Sequence, residues 1–234
     1  MSSPQLSIVM PVYNEEVAIT RVVQEWTEEL DRLGIDYEFC LYDDGSRDGT
    51  AVALQSLATA RVVVRSHSNR GHGPTILRGY DEARGEWVFQ TDSDGELPAS
   101  GFETLWRRRD LYDLVVGRRM GRRQSLGRLL LTIGSRTVIA LAFGRGVVDV
   151  NSPYRLMRGS WLRDQVLPFI PPRTAVPNIA VCGIASRSAA RVLEAGVPYL
   201  PRAMGRSSID LRRAAQLAWR GLFETLRIMR AVRR

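Results

Sequence analysis

The chain has 234 residues, 44% of them hydrophobic. That fits one core-forming domain, alone or with an appendage, and excludes global disorder. Its formal net charge is +8, and all 33 of its basic residues are Arg, so its surface favours phosphates, nucleic acid or an anionic membrane face. Nine Arg against Asp210 and Glu224 give the segment 202–234 a charge of +7, nearly all of the excess. Cys40 and Cys182 sit in apolar runs with no CxxC or Cys/His cluster, which reads as buried thiols and not a zinc site.

The first sixteen residues, MSSPQLSIVMPVYNEE, lack a charged region followed by a long apolar run and do not read as a signal peptide. No uninterrupted apolar stretch of about 18 residues occurs, so no ordinary transmembrane helix is expected. Cytoplasm is the default compartment. In chain order, the patterning predicts a strand over 6–12, a helix over 15–33 stopping at Gly34, and a strand over 37–42. A helix over 50–60, a strand over 61–65, a helix over 74–83, and strands over 86–91 and 114–116 follow. The second half is less regular: helices over 125–143 and 177–194, a last strand over 197–200, and a long helical pattern over 208–234. Such alternation predicts an α/β fold with a mostly parallel central sheet and helices on both faces.

In such sheets ligands bind beyond the carboxyl ends of the strands. Each proposed strand ends in polar residues: Tyr13-Asn14-Glu15, Asp43-Asp44-Gly45-Ser46, Ser66-His67-Ser68-Asn69 and Asp92-Ser93-Asp94. Carboxylates at i and i+2 after a strand can converge on one hard cation, Mg²⁺ or Mn²⁺, that shares its shell with substrate phosphates. The plain alternative is a solvated acidic turn.

Taken together, Pro11-Val12-Tyr13-Asn14-Glu15, the run Asp43 to Thr50, Asn69-Arg70-Gly71-His72-Gly73 and Asp92-Ser93-Asp94-Gly95-Glu96 resemble family 2 glycosyltransferases. The resemblance is strongest to the branch of dolichyl-phosphate mannose synthase and bacterial polyprenyl-phosphate glycosyltransferases. It covers about residues 5 to 210 and implies a Rossmann-like GT-A fold. It implies that Pro11, Tyr13 and Glu15 line a nucleoside pocket, that Asp43, with Asp44 beside it, contacts base or ribose, and that Asp92 and Asp94 face a sugar diphosphate and its metal. Where the branch commonly has Gln, this chain has Glu96, a third candidate metal ligand or a helix-proximal carboxylate. His72 reads as loop-shaping or donor-proximal, not as a ligand.

On the acceptor side, Gly117-Arg118-Arg119 follows a strand, and Arg128 and Thr132 sit one helical turn apart. The resemblance assigns Arg119, Arg128 and Thr132 to an acceptor lipid phosphate, against the alternative of a solvated basic face. Guanidinium groups suit that role through paired hydrogen bonds. Asp149-Val150-Asn151-Ser152-Pro153-Tyr154-Arg155 resembles the family's D-x-x-S-G-F-R segment, with Pro153 in place of Gly. Asp149 then orients sugar hydroxyls or an Arg, or serves as base if the acceptor is a sugar hydroxyl. Arg202 and Ser207, in a segment resembling R-x-x-G-x-S, close over the diphosphate, Ser207 alternatively being a helix cap.

The expected reaction is inverting transfer of a hexose from a GDP-mannose- or UDP-glucose-type donor to a polyprenyl phosphate. It is metal-dependent and catalysed by Asp92, Asp94, Asp149 and Arg119. The catalytic domain is expected over 1–207, with a basic amphipathic helix over 208–234. That helix and the stretch 126–143 suggest peripheral attachment to the cytoplasmic face of an anionic membrane, against the alternatives of packing on the domain, an oligomer interface or a membrane-protein partner. Three rivals remain: a soluble family 2 enzyme acting on a hydroxyl, a nucleotidyltransferase, and a non-catalytic RNA-binding module. The last leaves the ordered carboxylates unexplained, so no nucleic-acid partner is expected.

Overall fold

The computed structural model describes residues 3–121 and 149–200, and in the C-terminal stretch Gly221, Phe223, Glu224, Arg227, Ile228 and residues 230–232. The predicted helix over 125–143 lies outside the described residues, as does most of the segment 208–234. Seven strands form one sheet: β1 (Leu6–Val12), β2 (Tyr37–Asp43), β3 (Val62–Ser66), β4 (Trp87–Gln90), β5 (Leu114–Met120), β6 (Arg155–Arg158) and β7 (Val192–Pro198). Their spatial order is β3-β2-β1-β4-β6-β5-β7. Every pairing is parallel except those of β6, which runs antiparallel to both β4 and β5. Helices α1 (Ile19–Arg32), α2 (Thr50–Leu57), α3 (His72–Glu82), α4 (Phe102–Trp106) and α5 (Pro177–Arg187) cover the faces. This is the mixed, mostly parallel α/β sheet expected from the alternation.

β1 and β2 are buried along their whole length, as strands covered on both faces must be. One face carries the core of α1, where Val22, Val23, Trp26 and Leu30 recur at helical spacing. Trp26, Phe89, Phe102 and Tyr154 interlock there, with ring centroids 4.8–5.8 Å apart. The other face packs Val9, Tyr42, Val88 and Met157 under α3 and α5, together with Ile228 of the C-terminal helix. Both cysteines are buried and unpaired, and burial pushes the Cys40 thiol up to about 12.

Several boundaries differ from the sequence reading, each for a visible reason. α1 starts at Ile19 and not at Glu15, because the backbone of residues 14–16 donates to side chains of the loop after β2 instead. α2 stops at Leu57, since Thr59 and Val62 exchange backbone hydrogen bonds and turn the chain into β3. α5 ends at Arg187; residues 192–194, read as helix, pair with β5 instead. β5 runs on to Met120, held by β7 over its full length. Strand β6 was not foreseen. Among the described residues no helix is long and apolar enough to cross a membrane.

One buried polar node ties sheet to loops on the far edge from the site. Glu38 accepts hydrogen bonds from the Ser7 hydroxyl at 2.7 Å, from the Arg84 amide at 3.2 Å and from the Arg84 guanidinium. Burial opposes its charge, but these donors outweigh it and hold the carboxyl below the ordinary 4.5. A depressed carboxyl stabilises the fold above its unfolded value and loses that contribution as pH falls through the folded one. Glu38→Gln is therefore expected to cost about 1–2 kcal/mol at pH 7 in urea denaturation. The gap to the unsubstituted protein should close as the pH drops below 4.5.

Candidate active site

The polar strand ends meet at one edge of the sheet. After β1, the Asn14 amide donates to Ser46 Oγ at 3.0 Å, and Asn14 Oδ1 accepts from the Arg47 amide at 2.8 Å. The Glu15 amide donates to Thr50 Oγ1 at 2.8 Å, and Glu16 Oε2 accepts from the Gly49 amide at 2.6 Å. The loops after β1 and β2 are thereby zipped together. Asn14 adopts φ 54°, a left-handed turn for which Asn is suited. Pro11 is buried in β1, and Tyr13 stands 37% exposed at its end.

Asp43 and Asp44 are buried at the end of β2. Asp43 Oδ1 accepts the Ser46 amide at 2.9 Å, closing a tight turn. Asp44 accepts the Arg70 amide at 2.7 Å and the Gly71 amide at 2.9 Å, and lies 3.5 Å from His67 Nδ1. Asp44 therefore anchors the loop that leads into α3. At the first position of α3, His72 Nε2 sits 3.1 Å from Asp92 Oδ1. Neighbouring loops crowd the ring and disfavour a charged imidazole, although more than half of the side chain stays open to solvent. The Asp92 carboxylate, with Asp44 and Asp94 behind it, prevails and raises the histidine pKa.

β4 ends in the turn 92–96, opened by Gly95 at φ +71°. Asp92 is partly exposed. Asp94 Oδ1 accepts the Glu96 amide at 3.0 Å. Glu96 Oε2 accepts the Tyr199 hydroxyl at 2.9 Å, and its carbonyl accepts the Leu200 amide at 2.8 Å. The turn is thus clasped to the chain leaving β7. Among the described residues no three His, Cys, Asp or Glu side chains form a ready-made metal cluster. The two aspartates still offer part-exposed oxygen donors of the hardness that Mg²⁺ or Mn²⁺ takes, and such ions often complete their shell with phosphate and water.

Across from this turn, Arg119 at the end of β5 meets Asp149 in a two-pronged ion pair. Nε donates to Oδ2 at 2.8 Å and Nη2 to Oδ1 at 2.7 Å, while the Arg119 amide donates to Oδ2 at 3.3 Å. The Asp149 amide in turn donates to Glu194 of β7 at 2.7 Å. Burial disfavours the Arg119 charge, but Asp149, with Asp92 and Tyr199 nearby, raises its pKa. Of the two orienting roles expected for Asp149, the structure shows the contact to an arginine. Arg128, Thr132, Arg202 and Ser207 lie outside the described residues.

Arg155 shapes the segment that carries Asp149. It is fully buried at the start of β6. Its partners are carbonyls: Ser152 O at 2.5 and 3.0 Å, Val150 O at 3.1 Å and Asn178 O at 2.9 Å, with Cys182 Sγ at 3.7 Å. Ser152 adds a bond from Oγ to Gly117 O at 2.5 Å, which ties the segment to β5 where the family pattern's Gly is replaced by Pro153. Sequence reasoning missed Tyr199, Glu194 and the His72–Asp92 contact. Tyr199 and Glu194 belong to no motif, and the contact joins two motifs that are separate in sequence.

Residues 7–191 match the description Glycosyl transferase family 2, and the chain belongs to that family. It is 27% identical over 220 residues to an undecaprenyl-phosphate 4-deoxy-4-formamido-L-arabinose transferase of Proteus mirabilis, covering 92% of this chain and 66% of the relative. It is 30% identical over 217 residues to the transferase of the same name from Pseudomonas paraeruginosa, covering 91% of this chain and 62% of the relative. The chain thus spans a little under two thirds of the length of these relatives. Among solved structures it is similar to glucosyl-3-phosphoglycerate synthase from Mycobacterium tuberculosis in complex with Mn²⁺, uridine diphosphate and glucosyl-3-phosphoglycerate. The TM-score is 0.71 at 21% identity, over 95% of this chain and 79% of that one. Mannosyl-3-phosphoglycerate synthase from Rubrobacter xylanophilus gives 0.70 at 16%, over 97% and 74%. These likenesses show the GT-A fold.

Replacing Arg155 with Met, which keeps much of the volume, leaves buried carbonyls without donors. Arg155→Met is expected to destabilise the protein by about 3 kcal/mol in chemical denaturation.

Proposed function

We propose that the chain is a metal-dependent, inverting glycosyltransferase that moves a hexose from a nucleotide sugar to a polyprenyl phosphate at a membrane surface. One observation carries the reading: Asp92 of the paired aspartates after β4 lies within electrostatic reach of Arg119, whose guanidinium is held in place by Asp149. The similarity to undecaprenyl-phosphate transferases supports the acceptor, and the Mn²⁺ complex of a structural neighbour supports the metal.

Asp92 and Asp94 would hold the divalent cation, Mg²⁺ or Mn²⁺, with the donor diphosphate. Bound there, the cation would supply charge neutralisation for the departing nucleoside diphosphate. Glu96, the expected third ligand, has Oε2 engaged by Tyr199, so its first task is to fix the turn. Pro11, Tyr13, Glu15, Asp43 and Asp44 would frame the nucleoside, with Arg202 closing over the diphosphate. His72 would orient Asp92.

Arg119, with Arg128 and Thr132, would receive the acceptor phosphate. Asp149 is engaged by Arg119 through both carboxylate oxygens, a poor state for a general base. That suits an acceptor that arrives as an anion and needs no proton removed. Its oxygen attacks the anomeric carbon from the face opposite the leaving diphosphate, which gives inversion. GDP-mannose and UDP-glucose are the leading donor types.

Residues 1–207 would form the catalytic unit and 208–234 a basic helix docked on it. Phe223, Arg227 and Arg230 are exposed on that helix, a face suited to the anionic cytoplasmic leaflet.

The test is transfer of radiolabelled sugar from a donor panel to polyprenyl phosphate in detergent. Label is expected in the organic phase. Asp94→Ala should lower it by about 100-fold or more without loss of fold. Wild-type transfer by Asp94→Ala would overturn the metal role, and donor hydrolysis with no lipid product would move the acceptor to a soluble molecule.

A further inference from the structure

The C-terminal helix reaches the candidate active site through a short chain of contacts. Gly221, Glu224, Ile228 and Val232 recur at spacings of three and four, so they share one helix face. That face is turned to the domain: Ile228 is 2% exposed within the core beneath α5, and Val232 packs beside it. Glu224 Oε2 accepts the backbone amide of Ala175 at 2.7 Å. Gly221 lies so close to Val176 that an added methyl would meet its Cγ2 at 2.9 Å. Helix and turn 174–176 are therefore held at two points.

The same turn presses on the first turn of α3. A methyl on Gly73 would run into Thr174 O, and would meet Ala175 O at 2.7 Å. The next residue back is His72, whose ring contacts Asp92. A shift of the turn 174–176 toward α3 therefore has no room unless Gly73, the neighbour of His72, moves with it.

We propose that Glu224 is a positioning residue: by fixing Ala175 it seats the turn 174–176 against Gly73 and so sets the His72–Asp92 contact. The C-terminal helix is then a strut of the donor site as well as a basic surface. The inference rests on the reading of Asp92 as part of a metal–diphosphate site, and its first readout is independent of that reading.

The chain has two histidines, so isotope-labelled imidazole spectra of the full chain at fixed pH hold two ring systems. Glu224→Ala is expected to move the His72 resonances and leave those of His67 in place. Glu224→Gln, which keeps an acceptor oxygen for Ala175, should restore them. Calorimetric titration with uridine and guanosine diphosphate in Mn²⁺ should show about a tenfold loss of affinity in Glu224→Ala, recovered in Glu224→Gln. Should Glu224→Ala fail to fold, Gly221→Ala, which pushes on Val176 with the carboxylate intact, is expected to give the same His72 displacement. A folded variant with unmoved His72 resonances overturns the proposal. If neither nucleoside diphosphate binds the unsubstituted chain, the donor-site reading falls, and the imidazole spectra still decide the role of Glu224.

Discussion

The buried guanidinium of Arg155 holds the arrangement on which the site depends. A cation in the core is costly unless its hydrogen bonds are met. Here carbonyls from the segment before β6 and from α5 meet them. That commitment fixes where the segment 149–154 lies. Because β6 runs antiparallel between β4 and β5, its starting end faces the same edge as the finishing ends of the parallel strands. Asp149 arrives beside Arg119 for this reason. A parallel strand in that place would carry it to the opposite edge.

The site then divides into two poles. The loops after β1, β2 and β3 are knitted by side chain-to-backbone bonds, with Asp44 capping the approach to α3. The acidic turn after β4 is clasped by Tyr199 and touched by His72. Opposite it, Arg119 is kept charged and fixed in direction by Asp149, itself seated by Glu194. Such preorganisation is what electrostatic catalysis requires, since polar groups already in place need no rearrangement when charge develops.

Much of this was legible in sequence. The strand–helix alternation and the polar residues closing each strand placed the sheet and the edge where its polar loops gather. The quoted motifs pointed to the family that the comparison found. Other parts could not be read. β6 is four residues, Arg-Leu-Met-Arg, too short for a period-2 pattern to stand out, and its pairing with β4 and β5 is long-range. The boundary between α5 and β7 hid because residues 188–191, Ser-Ala-Ala-Arg, hold no Gly or Pro to stop the helix, and only pairing with β5 separates the two elements. An Arg partner for Asp149 is one of the roles its motif suggests; that the partner is Arg119 depends on the strand order, which no local window contains. The C-terminal pattern reads as a basic amphipathic helix for a membrane surface, with packing on the domain as the alternative; its described inner face is spent on the domain, and the opposite face stays outward.

The central claim is that Asp92 and Asp94 take a divalent cation together with a nucleoside diphosphate. Its most direct test is calorimetric titration of the unsubstituted chain with guanosine and uridine diphosphate, each with Mn²⁺ and with chelator. The account predicts micromolar-range binding, on the order typical of nucleotide substrates, that appears only with the cation. Equal binding with and without the cation, or none under either condition, would contradict it.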